Sequence, residues 1–218
     1  ATLKLKKCKW FGKACEFVGI NVTSEGNKPA ESKLQAFLDL PPPKTWYDLR
    51  MIIGAFGFYI KWIPNYELEI LPWRDLLAQQ PAPGKEIIAL DKLWKKEHQE
   101  LLDRLKRLIA SGPVLQRPDF NRRLYLKTDW SKDGIGVALL QADDTPEAIQ
   151  AEQREDEGGP CEFDKTIKGP RLRPIAFYSR RTTSKMEKSL HSFVGEAAAV
   201  LFGVRKCRKW LVGKEFTI

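Results

Sequence analysis

Leu124-Tyr125-Leu126-Lys127-Thr128-Asp129-Trp130-Ser131, followed by Gly134-Ile135-Gly136-Val137-Ala138-Leu139-Leu140-Gln141, is the stretch that decides how this chain is read. Alternating apolar residues over 124–128 predict a half-buried strand, and 134–141 reads as its returning partner, with Gly134 and Gly136 fitting a tight turn between them. Asp129 then stands at the rim of a hairpin, where sheets of mixed α/β domains present ligands and catalytic groups. An acid at such a rim also serves simply as a turn former, and the local residues leave both readings open.

Downstream, 174–179 predicts a third strand and 189–204 a helix in which Glu196 lies beside Ala197, Ala198, Ala199 and Val200. A carboxylate among small apolar neighbours is costly to bury alone, so Glu196 is expected to be paired, exposed or bound to a metal. A helix laid over the hairpin's sheet would carry Glu196 toward Asp129. Clustered carboxylates of this kind suit Mg2+, a hard cation that takes oxygen ligands. Between the second and third strands runs an acidic stretch, with Asp143, Asp144, Glu147, Glu152, Glu155, Asp156 and Glu157, which reads as an insertion rather than core.

Upstream, the period changes. Residues 8–11 and 16–22 predict a hairpin, with Gly19 marking a bulge or a close approach by another backbone. From Pro29 the apolar spacing becomes helical: a short helix over 31–40 stopped by Pro41-Pro42-Pro43, then one capped by Thr45 with Asp48 three residues on. Leu49, Ile52, Ile53, Phe56, Tyr59, Ile60 and Ile63 form its core stripe, and Pro64 closes it. Gly54 and Gly57 inside that helix each cost about 1 kcal/mol relative to Ala, so a close contact is expected to offset them, either packing against a neighbouring helix, the favoured reading, or approach by a nucleic-acid backbone. A third helical stretch over 65–80 restarts at Pro72, and a long amphipathic helix capped by Asp91 covers 93–111.

The 218 residues carry 37 Lys and Arg against 28 Asp and Glu, a net charge of +9, which makes nucleic acid or another acidic surface the first partner to consider. Basic residues cluster near the start (Lys7 and Lys9 among them), at Arg117, Arg122 and Arg123, and at Arg205, Lys206, Arg208 and Lys209, with aromatic residues interleaved. Cys8, Cys15, Cys161 and Cys207 show no CxxC spacing, which argues against zinc and for a reduced intracellular protein, cytoplasmic or nuclear. No apolar run is long enough to predict a membrane span. The chain opens on Ala1 and stops inside what reads as a strand, as a piece of a longer polypeptide would.

Taken in order, these segments resemble the reverse transcriptase and ribonuclease H region of gypsy-type LTR retrotransposon polyproteins. The likeness is carried by Asp129-Trp130-Ser131 with Gly134-Ile135-Gly136, by 174–180, and by Glu196 with Ala199-Val200 and Trp210-Leu211-Val212-Gly213. Upstream, Lys7 to Phe11 and Phe17-Val18-Gly19 look like the end of the palm with its primer-grip hairpin, Leu49-Arg50, Gly54, Phe58-Tyr59 and Ile63-Pro64 resemble the thumb helix, and Trp94, Gln99 and 113–119 resemble the connection. The resemblance implies an α+β chain: palm end over 1–26, helical thumb and connection over 27–116, and a truncated, mixed α/β ribonuclease H-like domain over 117–218 with the acidic insertion at about 142–171.

It further implies a protein that binds an RNA/DNA hybrid or primer-template through Phe17, Val18, Gly19, Lys7, Lys9, Arg122 and Arg123. Asp129 and Glu196 would be the first two of four Mg2+ ligands of the ribonuclease H site, and the paired aspartates of the polymerase palm would precede Lys4, so neither active site is complete in these residues. Trp130 departs from the small residue usual after the acid. The remainder of the polyprotein, or another protein, would cover the truncated sheet. A different reading stays open beside this one, a retroelement-derived piece kept as a non-catalytic structural or interaction subunit.

Overall fold

The computed structural model describes residues 12–81, 89–143, 145–146 and 172–218. Its first element is an antiparallel meander of β1 (Ala14–Phe17), β2 (Ile20–Thr23) and β3 (Gly26–Pro29). The strand expected over 16–22 is thus broken in its middle. Val18 and Gly19 both take positive φ, 50° and 74°, and form the two-residue turn that joins β1 to β2. Such turns match the right-handed twist of a hairpin, but a β-branched residue seldom adopts that conformation, so the apolar pattern reads as continuous. Gly19 is a turn residue, not a bulge. The strand expected over 8–11, with Lys7 and Lys9, and most of the acidic insertion lie outside the described residues.

Among the described residues five helices follow: α1 (Glu31–Leu38), α2 (Trp46–Phe58), α3 (Tyr66–Glu69), α4 (Leu71–Ala78) and α5 (Lys96–Ala110). α2 starts where its sequence predicts. Thr45 Oγ1 accepts from the Asp48 N–H at 3.1 Å while Asp48 Oδ2 accepts from the Thr45 N–H at 2.9 Å, so two donors orphaned at the helix start are satisfied. The same hydrogen bonds to Thr45 hold the Asp48 carboxyl below its ordinary range. Leu49, Ile52, Ile53 and Phe56 are buried along α2, and Tyr59, Trp62 and Ile63 continue the stripe beyond it. They share one apolar core with Tyr66, Trp73, Leu102, Leu105 and Ile109.

The start of α5 differs from expectation. Residues Leu90–Lys92 form a 3-10 turn, and α5 begins after Lys95, whose N–H is accepted by His98 Nδ1 at 2.9 Å. Burial lowers the His98 pKa and so favours the neutral ring that can accept this bond. Asp91 bonds instead to the N–H of Lys92, at 2.8 Å.

The second half is a four-stranded sheet of β4 (Leu124–Trp130), β5 (Gly134–Ala142), β6 (Leu172–Arg181) and β7 (Phe216–Thr217) in the order β6-β5-β4-β7, with α6 (Lys185–Lys188) and α7 (Ser192–Leu211) between β6 and β7. Neighbours are antiparallel except β7, which runs parallel to β4. α7 lies on one face, its buried Gly195, Ala199, Gly203, Cys207 and Leu211 spaced by four residues. Beneath it sit Leu124, Leu126, Ile135, Val137 and Leu139. The helical region covers the other face: Phe177 of β6 packs on the helical core, and Ser179 Oγ accepts from the Glu67 N–H at 2.9 Å. No helix among the described residues is long and apolar enough to cross a membrane.

The Thr45 cap gives a direct check on this account of α2. Thr45→Ala should cost about 1 kcal/mol of stability. That is a fall of roughly 2–4 °C in the thermal midpoint, read by circular dichroism.

Candidate nucleic-acid interface and carboxylate site

Asp129 belongs to β4 itself. It pairs with Gly136 in the ladder, and the turn is made by Ser131, Lys132 and Asp133, where Ser131 and Gly134 exchange backbone hydrogen bonds of 2.8 and 3.2 Å. The turn-former reading of Asp129 therefore does not hold, nor does a turn role for Gly134 and Gly136, which are residues of β5. Their purpose is space. A Cβ on Gly136 would stand 2.0 Å from Asn65 Oδ1, and one on Gly134 would stand 2.4 Å from the Arg180 carbonyl oxygen. Asn65, held in the left-handed region at φ 52° just before α3, thus fills the place beside Asp129 that a side chain at 136 would need.

Side chains alternate across a strand, so Asp129 and Trp130 face opposite ways. Trp130 lies on the α7 face, where a Cβ added to Gly195 would stand 2.2 Å from its ring. Asp129 lies on the face it shares with Gly136. Glu196, one residue past Gly195, points out from α7. Both carboxylates are exposed, and neither makes a hydrogen bond or ion pair among the described residues. Trp130 against Gly195 therefore joins the strand and the helix that carry the two acids, while the acids leave that junction from different sides.

Among the described residues no group of three or more His, Cys, Asp or Glu side chains is arranged to hold a metal. Asp129 and Glu196 fit Mg2+ in donor type, as unengaged carboxylates, but as a pair they are an incomplete set. His191 is the N-cap of α7, its Nδ1 accepting from the Phe193 N–H at 3.4 Å. Of the expected nucleic-acid residues, Phe17 and Val18 are 69% and 65% exposed at the hairpin tip. The Gly19 carbonyl oxygen is fastened by the Ala30 N–H at 2.9 Å and the Tyr59 hydroxyl at 3.4 Å. Arg122 and Arg123 stand at the start of β4, away from Asp129, and Arg122 donates to the Asp143 carbonyl at 3.1 Å.

The outer face of α2 carries residues that the sequence reading did not name as site residues. A Cβ on Gly54 would meet nothing within 4 Å, and one on Gly57 only the Tyr66 hydroxyl at 4.0 Å, so packing does not offset these glycines as expected. They line an open groove of about 380 Å³ with Arg50, Ile53, Tyr66 and Arg74. Beside them Tyr47, Met51 and Phe58 are 67%, 56% and 48% exposed. The signal was present: Tyr47, Met51, Gly54 and Phe58 recur at helical spacing, offset from the core stripe.

Residues 94–151 match the family model of the RNase H-like domain found in reverse transcriptase, a span that includes Asp129 and stops before Glu196. The chain is 28% identical over 99% of its length to the retrovirus-related Pol polyprotein from transposon 297 of Drosophila melanogaster, and 26% identical over 97% to that from transposon opus. It spans only 17% and 19% of those relatives. Among solved structures, the foamy viral protease-reverse transcriptase in complex with RNA/DNA hybrid superposes with a TM-score of 0.69 at 19% identity, covering 97% of this chain and 24% of that one. The same enzyme in complex with dsDNA gives 0.66 at 18% identity, covering 94% and 36%. The chain is thus similar in sequence to segments of retrovirus-related Pol polyproteins, and in fold to part of a viral reverse transcriptase.

In this chain the bulky Trp130 is accommodated because residue 195 has no side chain. Gly195→Ala should destabilise by about 1–3 kcal/mol, the cost of overpacking. Trp130→Ala in the same chain should relieve much of that cost, and a double-mutant cycle of urea melts measures the coupling.

Proposed function

We propose that this chain binds an RNA/DNA hybrid or primer-template along the outer face of α2 and the tip of the β1–β2 hairpin, and that Asp129 and Glu196 supply two ligands of a Mg2+-dependent ribonuclease H site. The observation that carries the first part is the pair of glycines on α2. Without side chains at 54 and 57, a nucleic-acid backbone can come close to the helix, while Tyr47, Met51 and Phe58 offer apolar surface and Arg50 a phosphate partner. The net charge of +9 favours such a polyanion. The complexes of the structural relatives with RNA/DNA hybrid and dsDNA agree with this reading.

For the second part, bound Mg2+ would activate water and stabilise the leaving oxygen. The chain's own contribution is to present the two carboxylates, Asp129 from β4 and Glu196 from α7. β7 pairs in parallel register with β4, Leu124 to Phe216 and Tyr125 to Thr217. Continued in that register, the fifth residue after Phe216 would fall beside Asp129, a suitable place for a further ligand from the longer polyprotein. The remainder of that polyprotein is also the partner expected to pair with the outer edge of β7, and an intracellular setting accords with it.

Fluorescence anisotropy with a labelled RNA/DNA hybrid at low salt tests the interface. Gly54→Ala and Gly57→Ala should each stabilise the fold by about 1 kcal/mol, because Ala is the better helix former and the space is open. The same changes should weaken hybrid binding several-fold. Unchanged affinity in both would remove α2 from the interface, and no binding by the parent chain would sink the nucleic-acid reading altogether. Mg2+-dependent cleavage is not expected from two carboxylates alone; cleavage abolished by Asp129→Asn would instead mean that the chain completes its own site.

A further inference from the structure

We infer that the side of β6 flanked by Lys61 from the helical region and by Lys206 and Lys209 of α7 is a phosphate-binding surface that continues the nucleic-acid path from α2 onto the sheet. The inference rests on the reading that this chain binds nucleic acid and adds a second point of attachment, on residues which that reading does not use. Among the described residues β6 is the outermost strand of its sheet, and the 3-10 turn Ile60–Trp62 packs against it. Lys61 is exposed in that turn, which follows directly on the end of α2.

What gathers at this edge is positive charge held by rings rather than by acids. Lys209 Nζ stands 4.6 Å from the centroid of Trp210, and Lys206 Nζ and the Arg180 guanidinium stand 5.8 and 5.3 Å from that of Phe202. Trp210 in turn stacks on the exposed Phe120 at 6.3 Å, and Lys214 Nζ stands 5.8 Å from the Phe120 ring. Arg180 is paired with Glu187. Lys61, Lys206 and Lys209 have no acidic partner among the described residues. The surrounding protein desolvates the Lys61 ammonium and Lys209 repels it, which lowers its pKa.

Cations brought together without acids produce a field that a row of phosphates neutralises, and aromatic rings among them are the usual company of a nucleic-acid strand. An isolated carboxylate would satisfy one lysine; a phosphodiester backbone can engage all three in succession. Nucleic acid is therefore the partner this edge fits.

The test compares two triple variants of the full chain with equal loss of charge. One is Lys61→Gln, Lys206→Gln, Lys209→Gln; the other removes the exposed Lys92, Lys96 and Lys188 in the same way. Affinity for a labelled RNA/DNA hybrid is measured across a salt series, with thermal melts to confirm folding. Each lysine–phosphate pairing that is removed should reduce the slope of log K against log salt by about 0.9, so the first triple should be shallower by roughly 2–3 and the second unchanged. Lysine acetylation with mass-spectrometric mapping gives a second readout, in which hybrid should protect Lys61, Lys206 and Lys209. Equal slopes for the two triples, or no protection, would overturn the inference. If the α2 glycine variants lose affinity while the first triple does not, this inference falls and the proposed function stands.

Discussion

A sheet has two faces to cover, and here each is covered by a different part of the chain. α7 lies on one face through a row of small residues, Gly195, Ala199 and Gly203, that lets the helix axis approach the strands. On the other face the helical region docks through Asn65 over Gly136, the Glu67 N–H on Ser179, and Phe177 against the helical core. If either cover were removed, apolar strand surface would meet water at about 25 cal/mol per Å². The docking also fixes where α2 stands relative to β4. The candidate interface and Asp129 are therefore held in register by ordinary packing at β5 and β6.

This arrangement was legible in part. The Thr45 and Asp48 cap, the buried stripe of α2, the restart of α4 at Pro72 and the β4–β5 hairpin all follow from local rules: caps, a period near 3.6, a period of 2. The failures share a cause, which is that tertiary packing chose between local options of similar energy. Val18 occupies a positive-φ turn against its own preference, with the Gly19 carbonyl fastened by Ala30 and Tyr59. α5 starts at a histidine cap rather than at Asp91 because His98 is buried beside Trp94 and presents its ring to the Lys95 N–H. The helix expected over 189–204 runs from Ser192 to Leu211, since buried Cys207 and Leu211 extend its inner face.

The reasoning that singled out Asp129 placed it wrongly in the hairpin. Spacing alone suggested an acid at a rim, yet Asp129 is a ladder residue whose direction is set by the alternation that sends Trp130 under α7. A wide ring directly after the acid requires a glycine on the facing helix, and Gly195 supplies it one residue before Glu196. Helix and strand are thereby keyed together next to both acids.

Gly54 and Gly57 make the sharpest distinction between what folding needs and what binding needs. Gly54 in the interior of α2 costs about 1 kcal/mol relative to Ala, and Gly57 in its last turn adds to that. Around them is open groove, so no internal packing recovers that cost, and the adjoining exposed Tyr47, Met51 and Phe58 add further surface that folding leaves unused. A helix shaped only for stability would carry side chains at both positions. Local rules are broken in this way where a surface serves something outside the fold, and here the exposed stripe leads toward Lys61 and the lysines of α7. The simplest physical account of the whole face is a polyanion running along it.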